Sequence, residues 1–251
     1  MSIPTRAPLA DYRAVVALNN MAVTLLERRC FRDALASFKN ALDLMGSLRP
    51  ESSNQRRPSA EKQNVFLQKA SKSVARSTRT VEASAARSGF SLTTISHDDS
   101  AEVVTVALHE IPSDFSGFVF MIEFDESNVN LSIDSSIILH NFSVACRMQS
   151  WEFKNTKKKR QLVERAYMFA QVANSILMQE SDILEDELQM KRALVVSMLI
   201  LQELIQLSSQ QGDMDTSRKY YCELGHVRSF VSDTEDGNLP LVSQLTAASA
   251  A

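Results

Sequence analysis

The sequence predicts a mainly α protein, a stack of about three helical hairpins with short strands in a long insertion. Three observations predict it. Only six glycines and six prolines occur in 251 residues, too few for a turn-rich β fold. Apolar residues recur at three- and four-residue spacing in paired blocks over 11–46, 135–177 and 191–231. One helical hairpin cannot bury its own apolar face, so these blocks need one another.

The first block covers 1–48. Tyr12, Val15, Val16, Leu18, Met21, Ala22, Leu25 and Leu26 share a helical stripe over 11–28, with Asp11 placed to cap it. Phe31, Ala34, Leu35, Phe38, Ala41, Leu42 and Met45 form the stripe of a second helix, and Gly46 suits its stop. Residues 49–134 are an insertion that begins with a Ser/Arg-rich linker. Phe66, Ala70 and Val74 allow one helix over 60–84. The β-branched and aromatic runs at 102–110 and 117–124 read as short strands, paired as a hairpin. Helical period returns over 135–231. Leu139, Phe142, Ser143 and Cys146 mark a third helix, and Ala166, Ala170 and Ala173 a fourth. Between them "SWEFKNTKKKRQ" reads as a basic loop. Residues 191–209 are one strongly apolar helix, Gly212 marks a turn, and Ser217 and Tyr221 sit on the last helix. The tail 232–251 has no stacking pattern and is expected to be flexible.

Residues 18–46 resemble a tetratricopeptide repeat, and "LNNMA" is similar to the "LNNLA" opening of kinesin-light-chain-type repeats. Leu18, Met21, Ala22 and Leu25 fit the first-helix signature; Ala34, Phe38 and Ala41 fit the second. Arg29 stands where the family has a turn glycine, and Gly46 where it has proline. The resemblance implies a degenerate tetratricopeptide-like stack whose first helices line a concave groove. It places Asn20 and Asn141 where the family's side-chain amides face an extended peptide, with Asn19, His140, Val144 and Arg147 on the same surface. An amide suits that task because it donates and accepts at once.

Composition narrows the function. Residues 50–89 carry eight Lys/Arg against three Asp/Glu, whereas 91–135 carry nine Asp/Glu and no Lys or Arg. Cys30, Cys146 and Cys222 are too scattered for a disulfide framework or zinc site. With no signal-peptide pattern and no apolar run of membrane-spanning length, a cytoplasmic location is expected, and nuclear entry would use the basic segment 154–161. The sequons at Asn130 and Asn141 then read as chance matches. His97, His109, His140 and His226 show no metal-ligand spacing, and no phosphate-cradling glycine loop occurs. No enzyme activity, cofactor or metal is therefore expected.

The first expectation is a non-enzymatic interaction module that binds a peptide or helix of a partner protein in its concave face. Replacing Asn20 and Asn141 by alanine should then weaken partner binding and leave melting nearly unchanged. The alternative is a structural or assembly subunit whose groove is filled by its own residues 101–126. Nucleic-acid binding through Lys157, Lys158, Lys159 and Arg160 is a weaker third reading, because few aromatic side chains stand beside the charge. "RRPS" makes Ser59 a candidate phosphorylation site. Association of two copies through end faces is also allowed.

Overall fold

The computed structural model describes residues 6–48, 60–77, 92–95, 117–122, 124, 129–180 and 187–235. Among the described residues, seven α-helices and two short strands follow in chain order: α1 (Arg6–Glu27), α2 (Phe31–Leu48), α3 (Ala60–Ser77), β1 (Leu92–Ile95), β2 (Gly117–Phe120), α4 (Leu131–Glu152), α5 (Thr156–Glu180), α6 (Glu187–Gln211) and α7 (Met214–Glu235). The helices pair as α1/α2, α4/α5 and α6/α7, and α3 lies on the first pair.

The first and second hairpins stack directly, α2 against α4. An aromatic column marks the contact. The Phe38 and Phe142 rings lie 6.1 Å apart, and Phe142 stacks on Phe169 at 4.4 Å, each pair contributing about 1 kcal/mol beyond its buried area. Small residues set the spacing within the second hairpin. Ala166, Ala170 and Ala173 are fully buried, and α4 comes close enough for Ser143 and Ser136 to donate to the carbonyls of Ala166 and Ala173 at 2.8 and 3.2 Å. Every residue of α4 from Ile133 to Met148 is buried, as befits the central helix of the stack.

Helix α3 covers the outer side of the first hairpin. Arg28 donates to the Val74 carbonyl and to Ser77 Oγ, both at 2.9 Å, and Gln63 donates to Asp11 at 2.6 Å. Asp11 is thus an inter-helix acceptor inside α1, not its cap. Its helix begins earlier, at Arg6.

Other boundaries also move. Gly46 lies within α2, which runs on to Leu48. The basic segment is not a loop: residues 153–155 make the connection, and α5 starts at Thr156 because Asn155 Oδ1 caps it, accepting from the N–H groups of Lys157 and Lys158 at 3.0 and 3.2 Å. Helix α7 continues to Glu235, past the expected start of the tail. The helix expected over 60–84 is described to Ser77.

The described strand pairing is one that the sequence did not suggest. β2 pairs in parallel with β1, with Leu92 opposite Gly117 and Ile95 opposite Phe120. Residues 102–110 lie outside the described residues, as does Ser59. A hairpin needs only a tight turn, whereas parallel partners need a crossover connection.

Candidate functional site

The strand β2 and the residues after it run across the inner face of the stack, held along one edge by side chains of α1 and α4. Backbone groups of an extended chain alternate in direction with a period of two. The groups of Phe118, Phe120 and Ile122 therefore face one way, and helix side chains meet them in turn. His140 Nε2 donates to the Phe118 carbonyl at 2.9 Å. Asn141 accepts the Phe120 N–H at 2.9 Å and donates to its carbonyl at 2.8 Å. Asn20 repeats this two residues on, accepting the Ile122 N–H at 2.9 Å and donating to its carbonyl at 2.8 Å.

Asn19 ties these amides together. It donates to the Phe120 carbonyl at 3.0 Å and to Asn20 Oδ1 at 3.1 Å, and it accepts from Asn141 Nδ2 at 3.0 Å. Both Nδ2 hydrogens of Asn19 and of Asn141 are thereby used. A buried network of this kind rigidifies its surroundings because every member is paired. Three amides and one imidazole substitute for a neighbouring strand.

The strand's side chains are anchored as well. Val119 and Ile122 are fully buried and Phe120 nearly so, all within the main core. The Phe120 ring meets His140 edge-on at 5.8 Å. At the far end, Phe124 packs 5.7 Å from the Tyr12 ring with the Arg13 guanidinium 4.5 Å over its face. The segment therefore reaches from α6, which shares a small pocket with Phe118, to the first half of α1.

Of the six residues expected on the groove, Asn19, Asn20, His140 and Asn141 touch the strand. Val144 and Arg147 do not offer an open surface. Both are fully buried, and Arg147 Nε donates to Glu203 of α6 at 2.7 Å. The groove is covered by the chain's own residues, and its deeper wall is sealed by the third hairpin.

Burial controls the titration of this region. The imidazole of His140 is held below its ordinary pKa, first by desolvation and to a smaller degree by the Arg147 charge, while Glu203 and the bond to Phe118 act the other way. It is neutral at pH 7. The Cys146 thiol is pushed up to about 12 by burial, so it is inert as a nucleophile.

A second polar cluster had no sequence motif to announce it. Asp134, fully buried on α4, accepts from Tyr12 Oη at 2.5 Å and from Arg192 Nη2 at 2.6 Å. It joins α1, α4 and α6. Glu203 and Arg192 did leave a signal, as charges within or beside the apolar run of α6, where a charge must find a partner. By length and composition, Gln189–Gln211 could cross a membrane, contrary to the expectation that no segment would qualify; most of it is buried inside the stack.

Both sequon asparagines serve the fold. Asn130 caps α4, accepting from Ser132 and Ile133, and Asn141 is fully buried. No metal-binding group of three or more His, Cys, Asp or Glu occurs among the described residues. Comparison with protein-family models, curated proteins and solved structures returns no match.

Proposed function

We propose that this chain is a non-enzymatic protein-interaction module whose concave face receives an extended peptide by its backbone, and whose own residues 118–122 hold that face in the state described. One observation supports the reading above all. Asn141 and Asn20 each bond both the N–H and the C=O of a single strand residue, two residues apart. Such contacts read main chain and leave side chains to set selectivity, as strand addition does. A partner segment of similar apolar character would replace the resident strand.

The test uses the full chain with Phe120→Ala and Ile122→Ala, and a fluorescent peptide of residues 116–126 followed by anisotropy. The peptide is expected to bind this variant and not the wild type, and a further Asn20→Ala should remove the binding. A variant that keeps wild-type helicity by circular dichroism yet takes up no peptide overturns the reading.

A second reading has its own support. Val119 and Ile122 are fully buried within the core cluster shared by the helices, as in a structural or assembly subunit whose groove is permanently filled. Loss of helicity in the same variant would favour it.

A further inference from the structure

The strand that occupies the groove leaves one pocket unsatisfied. Phe118, His140, Leu199, Gln202, Glu203 and Gln206 line a small cavity at the α6 end of the strand, with about 10 Å³ of room for the centre of a water molecule, enough for one oxygen. A carbonyl can only accept, so His140 Nε2 must carry its proton toward Phe118, which leaves Nδ1 with a lone pair alone. Among the described residues that Nδ1 has no partner, and neither does Oε1 of Gln202 or of Gln206. All three are buried acceptors. Glu203 is already met by Arg147 Nε at 2.7 Å, while Arg147 Nη1 and Nη2 also stand without a partner among the described residues, so the unmet demand is for a neutral group that donates and can also accept, as a hydroxyl does. Phe118, the strand residue that lines this pocket, has no hydroxyl to offer.

The geometry points to a specificity subsite: at the position of Phe118 the groove prefers a residue with a hydroxyl donor, tyrosine being nearest in shape, over phenylalanine. This deepens the reading of the groove as a peptide receptor and rests on it. A site with buried acceptors penalises the occupant that leaves them unpaired. The resident strand is thus the weaker occupant at this one position, and a partner peptide with tyrosine there holds an advantage.

The test compares two labelled peptides of residues 116–126, one with the natural phenylalanine and one with Phe118→Tyr, on the full chain carrying Phe120→Ala and Ile122→Ala. The tyrosine peptide is expected to bind on the order of tenfold more tightly, the effect of one net hydrogen bond. Adding Gln202→Leu and Gln206→Leu should erase the difference. Equal affinities, as for a pocket that simply holds water, overturn the subsite and leave the receptor reading intact. Binding of neither peptide to the folded variant overturns the receptor reading itself. A second measurement avoids the variant: Phe118→Tyr in the otherwise native chain should raise the thermal midpoint, and an unchanged or lower midpoint counts against the subsite.

Discussion

Arg29 turns the chain between α1 and α2 with a φ of 58°, a conformation that costs a side chain about 1 kcal/mol. The turn is a Schellman motif: Cys30 N–H bonds the Leu25 carbonyl and Arg29 N–H that of Leu26. Gly212 makes the same turn after α6, with φ 79° and the matching bonds from Gly212 and Asp213. The sequence pointed to both positions and showed a glycine at only one. Arg29→Gly should accordingly stabilise the fold by up to about 1 kcal/mol, read from the urea midpoint; a lower midpoint would contradict the strain. The groove asparagines differ in burial, and this decides their weight. Asn141→Ala strands buried polar groups of Phe120 and Asn19 and is expected to cost about 2 kcal/mol, whereas half-buried Asn20→Ala should cost about 1 kcal/mol, since water can reach its site. Nearly unchanged melting, expected when these amides were read as facing a foreign peptide, no longer follows. The structure has them bonded within the chain. Their position on the inner face was legible in "LNNMA" and "LHNFS"; the identity of their occupant was not, because no local pattern encodes a contact across about a hundred residues.

Helix middles were legible and helix ends were not. The apolar stripes of α1, α2 and α5 fall where their spacing puts them, because each must face a neighbour. The ends depend on single polar bonds, such as Asn155 closing the start of α5, which the basic run after it obscured. Strand pairing was least legible, since β1 and β2 meet over only four residues each. The ion pairs between elements carry a testable weight. Asp134 is fully buried and Arg192 is 11% exposed, so Arg192→Met leaves a carboxylate in the core without its cation. A loss of about 3–5 kcal/mol is expected by chemical denaturation. Tyr12→Phe should cost less, about 1–2 kcal/mol, because Arg192 still meets the charge. Equal effects would mean that the cation carries no more of the cluster than the hydroxyl does.

Across the whole molecule, stability should fall on mild acidification. His140 binds a proton less readily folded than unfolded, so its contribution is complete above its unfolded pKa of about 6.5 and declines as pH drops from there toward its lower folded value. Denaturation at pH 7.5 and 5.5 should show a larger drop for wild type than for His140→Gln; equal drops would assign the acid sensitivity to other groups. The amides of Phe120 and Ile122 are held by side chains of α1 and α4, so their hydrogen exchange should be as slow as that of core helix amides, by mass spectrometry or NMR. Exchange at loop rates would mean that the strand leaves its seat often. Ile122 lies only a few positions ahead of Asn130, the cap of α4, in the sequence, and this closeness has a quantitative consequence. A strand tied this closely to the helices that hold it acts as though present at millimolar concentration. A free peptide of equal intrinsic affinity would have to reach about that level to share the groove, so any effective competitor must either bind far better or arrive already tethered nearby.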